Sequence, residues 1–571
     1  MIFTTKVELY MISKKYARIK TWHAIRRTII TAIVLGIITF IIAVAPDYIK
    51  DEQTGLTKLI INNNNVTANV KSEIKIIDGE IYLSTEDVKN FFDEYITIEV
   101  NNIITTSNTK TVAIPKTGNT IWENGSTTNI KNTVITEDGK YYLPMNELAS
   151  VYNYEIKYIY SSKTIVVDSL NKKLVQAISS KNTDVKYKAT IFSKDVDKVK
   201  RGDTLTIIQD TKTDTDFAIK DWIRVRTETG KIGYIKKSNI INEKNVRENL
   251  EEQRINGKVS IVWDYYTSAS NAPTRIDKIS GINVVSPSLF EVNDNGTIDS
   301  NIGTSGKNYI NWAHSNNYKV WPTLSNSALN NLDAVSNMLG SFENRSKLID
   351  SIINNLISSG VDGINVDFEN MHKTDKENYS RFIIELAPRL QEIGMMMCVD
   401  VTAPDGSDTW SLCYDRNLIG KVSDYMVFIA FDQHGMQTAN SISGATWIEN
   451  NINKFLGQEG VPANKLIVSL PFYTRLWKEQ NGIVTNKVVN MNKITIPSGV
   501  EKTWDDATKQ YYIEYTFDGA TYKMWIEDTE SISAKLDLIN KYKLTGAGFW
   551  EKDRETSDVW EIVKDKLGIN N

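Results

Sequence analysis

The chain has 571 residues, 24% charged and 41% hydrophobic, which excludes a long disordered polymer, a collagen-like repeat and a polytopic membrane protein and predicts three or four folded units. A net charge of −4, with no basic run interleaved with aromatics beyond the N-terminus, argues against nucleic acid as a partner. Two cysteines, Cys398 and Cys413, and four histidines, His23, His314, His372 and His434, supply neither a disulfide framework nor metal-ligand spacing. No metal and no cofactor is expected, and the thiols read as two buried side chains, with a single bridge as the alternative in an exported chain.

Residues 1–27 form a basic tail with seven Lys/Arg against Glu8. An uncharged run follows, Thr28 to Ala45, whose 18 residues would span roughly 27 Å as a helix, enough to cross a bilayer. Cations ahead of the run hold that end in the cytoplasm and place everything after Pro46 outside. Residues 28–46 therefore read as a retained anchor of a single-pass cell-membrane protein with an acidic extracellular part. Ala43-Val44-Ala45 also fits a cleavage site, which gives the alternative of secretion to the cell wall.

Residues 47–180 alternate short β-branched strands with turns and contain an internal echo. Asp78-Gly79-Glu80-Ile81-Tyr82-Leu83 recurs as Asp138-Gly139-Lys140-Tyr141-Tyr142-Leu143. Each copy reads as a hairpin turn, a strand and a short helix, together a small α+β module. On these residues the module resembles the domain named for the N-terminus of copper amine oxidases, which recurs in Gram-positive surface proteins; with no histidine between His23 and His314, the resemblance implies a spacer or wall contact and no copper. From 185 to 243, short strands separated by turns suit a small β-barrel. The ending Trp222-Ile223-Arg224-Val225-Arg226 through Gly233-Tyr234-Ile235 resembles bacterial SH3-like domains, with Trp222 and Tyr234 read as core. The charged stretch 241–257 is predicted to be a linker helix.

From residue 256 to 571, apolar strands alternate with helices, the pattern of a parallel α/β fold, and the length suits a (β/α)8 TIM barrel. Strands are predicted at 259–263, 282–286, 319–324, 363–369, 395–401, 424–431, 466–472 and 546–550, with an α+β insertion at about 478–530 over the barrel mouth.

The fourth strand carries the chemistry. A helical stripe from Leu348 to Ile357 ends at Gly360, and Thr374-x-x-Glu377 is predicted as a capping box opening the next helix. Between them Ile364, Val366 and Phe368 alternate with Asn365, Asp367 and Glu369. Period two aims the polar set at the barrel axis, with Glu369 at the C-terminal mouth where barrel active sites sit. Carboxylates two residues apart repel when both ionise, so one should keep a proton at neutral pH, as a glycosidase acid must.

Asp362-Gly363-Ile364-Asn365-Val366-Asp367-Phe368-Glu369 resembles the DGxDxDxE signature of glycoside hydrolase family 18. The resemblance extends through Ser286-Pro287, Trp321-Pro322, the Pro471 to Trp477 segment and Trp550, and is strongest to the branch of bacterial cell-wall and spore-cortex lytic N-acetylglucosaminidases. It implies a substrate-assisted retaining hydrolysis. Glu369 would protonate the glycosidic oxygen, the sugar's 2-acetamido carbonyl would attack its own anomeric carbon, and Asp367 would orient that group. Asp432 matches the last residue of the family's MxYD motif, Trp550 matches the aromatic floor of the subsite, Tyr473 would line it, and Asp362 is counted with the binding residues.

Two departures accompany the resemblance. Asn365 replaces the middle Asp, and an amide can hydrogen-bond Asp367 but cannot take its proton. Phe431 replaces the MxYD tyrosine, removing a hydroxyl worth roughly 1.5–3 kcal/mol, or about one to two orders of magnitude in rate. The implied function is a hydrolase of β-linked N-acetylglucosamine glycans, peptidoglycan first. A glycan-binding scaffold with impaired turnover and a chitin-binding chitinase are the alternatives.

Overall fold

The computed structural model describes residues 2–49, 56–208, 221–249, 255–266, 272–300, 302–329, 331–433 and 437–569. The chain divides into two compact units, Met1–Ser84 with Pro144–Glu251, and Thr85–Leu143 with Glu252–Asn571.

The first unit begins with a helix, Ile2–Ile49, in which Tyr10–Thr39 is long and apolar enough to cross a membrane. Beyond it, Lys58–Ile61 pairs in parallel with Thr164–Ser169, whose other edge pairs with Tyr154–Ile159. Leu174–Ser179 then joins the short strands from Thr183 to Lys236 and Ile240–Arg247 in a seven-stranded antiparallel sheet over Val185, Val199, Leu205, Val225 and Ile235. The predicted linker helix is thus corrected at its start. Ile240–Arg247 is an edge strand on Leu174–Ser179, and such an edge keeps its charged side chains in water as readily as a helix would. Residues 250–254 lie outside the described residues.

Both halves of the internal echo turn through two left-handed residues, as a two-residue hairpin requires: Asp78 and Gly79 at φ 51° and 86°, Asp138 and Gly139 at 50° and 73°. Only the first copy enters a helix, Thr85–Phe91. The second continues as turns over 145–153 because Asn146 is tied to the strand Glu80–Ser84, its N–H donating to Glu80 Oε1 at 2.7 Å and its Oδ1 accepting from Ile81 N at 3.1 Å.

The second unit is built on eight parallel strands: β1 Val259–Asp264, β2 Val284–Pro287, β3 Thr323–Ser325, β4 Gly363–Asp367, β5 Met396–Val401, β6 Tyr425–Ile429, β7 Leu466–Pro471 and β8 Gly546–Trp550. Pairing runs unbroken from β4 through β8 to β1 and β2. Closure falls at the third strand, which changes partner at a proline. Lys319–Val320 pairs with β2 and β3 pairs with β4. Between them Trp321 N bonds Val285 O at 3.0 Å, while Pro322, lacking an N–H, offers only its carbonyl, to Asn365 N at 2.9 Å.

Alternation along the strands sorts two cores. Outward residues, Ile364, Val366 and Phe368 among them, pack under the helices, while Val259, Ile261, Trp263, Val284, Trp321, Cys398, Tyr425, Val427 and Ile467 fill the barrel. Gly548 makes room for that filling: a Cβ there would lie 2.5 Å from the Trp263 ring. Cys398 and Cys413 are buried free thiols.

Helices α1 Phe342–Ser359 and α2 Lys376–Glu392 flank β4 in sequence. Gly360 ends α1 at φ 70°, as its position predicts. The predicted capping box is not formed. A 3-10 turn, Lys373–Asp375, precedes α2, and the carboxylate of Asp375 at the N-cap accepts from Ser336 Oγ at 2.7 Å instead of capping.

The insertion is a five-stranded antiparallel sheet, Tyr473–Gln480, Ile483–Asn490, Thr503–Asp505, Gln510–Phe517 and Ala520–Ile526, so it starts earlier than residue 478 and carries a 3-10 turn, Met491–Lys493, rather than a helix. A second five-stranded sheet, from Thr97 to Asn129, packs on α1 and α2: Trp122 meets Phe342 edge-to-face at 5.2 Å, and Arg345 bridges Glu99 and Glu385. The stretch expected as one module at 47–180 is therefore shared between the two units.

Candidate active site

The inward residues of β4 and β5 meet in a buried polar layer above the apolar filling. Asn365 is its hub. Its Oδ1 accepts from Trp263 Nε1 at 2.7 Å and from Ser286 Oγ at 3.3 Å, and its Nδ2 donates to Asp400 Oδ1 at 2.6 Å. Because Asn365 and Cys398 share a rung, as do Val366 and Val399, the next rung up brings Asp367 beside Asp400 with both side chains inward.

Glu369 stands two residues above Asp367 and is fixed through its backbone. Asn326 accepts from Glu369 N and donates to Glu369 O, each at 2.9 Å, and Tyr414 Oη donates to Phe368 O at 2.7 Å. Behind this turn Phe368 stacks on Phe382 at 5.6 Å. The turn is therefore rigid where the carboxyl must be aimed.

Electrostatics follow from burial. Desolvation, reinforced by Asp367 and Asp432, pushes the Glu369 carboxyl up to about 8, so it keeps its proton at neutral pH. Burial also raises Asp367. Asp400 is raised well above the ordinary range by burial and then by Asp367, against the opposing hydrogen bond from Asn365. Asp367 Oδ1 is buried and has no hydrogen-bond partner among the described residues.

A second wall comes from the end of β6 and the insertion. Asp432 sits at φ 52°, a left-handed geometry that turns its half-exposed carboxylate into the cleft. Tyr473 Oη donates to its Oδ2 at 2.8 Å, and Arg475 reaches its Oδ1 at 3.2 Å. Phe431 packs edge-to-face on Tyr473 with ring centres 6.1 Å apart, and both belong to a cluster with Trp477, Ile442 and Trp550. Trp550, at the end of β8, lies 6.2 Å from Trp263 and 6.1 Å from the exposed Tyr265.

The structure thus brings Glu369, Asp367, Asn365, Asp432, Phe431, Tyr473 and Trp550 to the C-terminal mouth. Asp362 is the correction. It lies at the opposite, N-terminal end of β4, where Lys319 Nζ at 2.8 Å, Val320 N at 3.0 Å and His314 Nε2 at 2.9 Å surround its carboxylate. Its contacts latch β4 to the strand before it. Tyr473 is refined as well: it is 4% exposed with its hydroxyl proton directed to Asp432. Asp400, Asn326 and Arg475 were not assigned roles from sequence. For Asp400 the only signal is one carboxylate in the apolar run Met395 to Val401. His434 lies outside the described residues, and among those described no group of His, Cys, Asp and Glu could hold a metal.

A closed (β/α)8 barrel with buried carboxyls at its C-terminal mouth defines a glycosidase architecture. The chain belongs to the glycosyl hydrolases family 18, whose family model matches residues 261–555. It is 24% identical over 296 residues to the uncharacterized glycosylase YvbX of Bacillus subtilis, covering 50% of this chain and 84% of that protein. It is 23% identical to the cortical fragment-lytic enzyme of the same organism, covering 39% of this chain and 54% of that protein. Among solved structures, the Bacillus cereus spore cortex-lytic enzyme SleL is similar over 57% of this chain and 78% of that chain, with 19% identity and a TM-score of 0.48.

Proposed function

We propose that this glycosidase is a membrane-anchored extracellular enzyme that cleaves β-linked N-acetylglucosamine glycans, peptidoglycan foremost, by substrate-assisted retaining hydrolysis. The observation that carries the reading is the pairing of a protonated Glu369 with Asp367, whose buried Oδ1 has no hydrogen-bond partner among the described residues. An unpaired buried acceptor is costly, and the N–H of a 2-acetamido group would satisfy it. Glu369 then protonates the leaving oxygen while Asp367 holds the acetamido group for attack on the anomeric carbon. Asn365, whose amide donates to Asp400 and not to Asp367 as expected, anchors the floor of the site, Asp432 lines the opposite wall, and Phe431, Tyr473 and Trp550 form the aromatic side of the sugar site. A wall glycan is favoured by the relative named a cortical fragment-lytic enzyme. The apolar N-terminal helix supplies the anchor, and the rest of the first unit, which holds part of the stretch read as copper amine oxidase N-terminal-like and the stretch read as SH3-like, serves as a wall contact.

Phe431 favours a second reading, a wall-glycan-binding scaffold with little turnover. Reducing-end release from purified peptidoglycan by the full chain in detergent, beside Glu369→Gln, separates the two. Release lost in the variant supports hydrolysis. Glycan binding by both with release by neither supports the scaffold, and release from chitin oligomers alone moves the substrate to chitin.

A further inference from the structure

Three carboxyl groups, on Asp367, Glu369 and Asp400, interact at the barrel mouth, Asp400 fully buried and the other two partly, while Arg475 on the opposite wall is engaged with Asp432. Three like charges cannot all be held there, so the cluster keeps protons. Asn365 cannot carry one. Its contacts point to the neighbouring strand: Trp263 and Ser286 occupy Oδ1, Nδ2 is turned to Asp400 Oδ1 at 2.6 Å, and Asp400, 2% exposed, stands on the rung beside Asp367, where burial next to a second carboxyl outweighs that one donor.

We propose that Asp400 is the positioning residue of the carboxyl pair, holding one of the cluster's protons on β5 so that Asp367 remains the anion and Glu369 the acid. The proposal rests on the hydrolase reading above and adds a residue to it. The surroundings of Asp400 are consistent with this division. Asp367 and Glu369 face it from β4, the thiol of Cys398 lies below it on β5, Tyr379 approaches from α2, and its β6 neighbour in register, Val427, brings no charge. The two acidic neighbours repel a charge on Asp400, and the single amide bond from Asn365 is the hydrogen bond that opposes them.

The test is the pH dependence of hydrolysis of 4-nitrophenyl N,N′-diacetyl-β-chitobioside by the full chain in detergent, for wild type, Asp400→Asn, Asp400→Ala and the exchange Asn365→Asp with Asp400→Asn. Asp400→Ala is expected to lose at least about tenfold in kcat with little change in KM, because Asn365 and Asp367 lose their packing partner. Asp400→Asn replaces a neutral acid by a neutral amide of the same shape, so the alkaline limb set by Glu369 should stay within about 0.3 unit of wild type. The exchange keeps three carboxyls and one shared proton and should hold the limb as well. A limb displaced to lower pH by about one unit in Asp400→Asn would mean that Asp400 is ionised in the wild type and overturns the proposal. Infrared difference spectroscopy reads the proton itself, whether or not wild type turns over the probe, whose failure would sink only the hydrolase reading for that substrate. A carboxylic-acid C=O band at neutral pH that Asp400→Asn removes supports the proposal, and a spectrum unchanged by the substitution overturns it.

Discussion

Tyr473 donates its phenolic proton to Asp432 Oδ2 at 2.8 Å, which joins the first strand of the insertion to the end of β6. Arg475, two residues further along that strand, reaches the other oxygen of Asp432. The insertion is thereby part of the cleft wall. Tyr473→Phe keeps the ring contact with Phe431 and removes only the hydrogen bond to a charged group. Such a bond contributes about 1.5–3 kcal/mol, so kcat on a chromogenic chitobioside should fall at least about tenfold with the fold intact by circular dichroism. An unchanged rate would remove Tyr473 from the site.

Activity should follow a bell-shaped pH profile. The acid form of Glu369 is needed, so kcat/KM should fall as pH rises through a value near 8, the position to which burial and the neighbouring carboxylates push that group. Asp367 must be ionised to hold the acetamido group, so activity should also fall as pH drops through its raised value. Glu369→Gln should cost about 10²–10⁴-fold in kcat, and its residual activity should lack the alkaline limb. A residual profile that still turns down near that pH would assign the limb to another group.

Much of this site was legible because β4 alternates strictly, and period two forces Asn365, Asp367 and Glu369 to one side of the sheet whatever surrounds it. Asp400 was not legible, because one carboxylate in an apolar strand gains its meaning only from the register that sets Val399 beside Val366. Asn326 was hidden for the same reason: its bonds to the Glu369 backbone cross 43 positions of sequence. The capping box expected at Thr374, although its helix forms, and the helix expected after Pro144 both fail where an Asp or Asn side chain bonds a distant group instead of its own turn.

Asp362→Asn should test the latch at the barrel's closed end. Burial alone would raise this carboxyl, but Lys319, Val320 N and His314 hold it below the ordinary range. A depressed folded-state value adds stability above the unfolded pKa, and that stability is lost as pH falls through the folded value. The variant should therefore be less stable than wild type by about 1 kcal/mol at pH 7, with the difference shrinking toward acid pH and kcat/KM unchanged. Loss of activity at unchanged stability would return Asp362 to the substrate site.

Arg345 joins the sheet from Thr97 to Asn129 to the helices beside β4, and this brace should matter for stability. Its guanidinium is 2% exposed and bonds Glu385 Oε2 at 2.8 Å, Glu385 Oε1 at 2.9 Å and Leu339 O at 2.9 Å, with Glu99 at its outer edge. Glu385 is fully buried and also pairs with Arg381 at 3.1 Å. Removing Glu385 takes two of the bonds of the Arg345 guanidinium and the carboxylate partner of Arg381, leaving Arg345 with Glu99 and Leu339 O, so Glu385→Ala should destabilise the second unit by about 3 kcal/mol in denaturant unfolding. Replacing both partners, Arg345→Leu with Glu385→Met, removes the under-paired cation together with the bond and should recover most of that loss. Glu99→Gln, at the exposed edge of the network, should cost about 1 kcal/mol or less. Equal losses in Glu385→Ala and in the double variant would show that packing, rather than the under-paired cation, sets the cost.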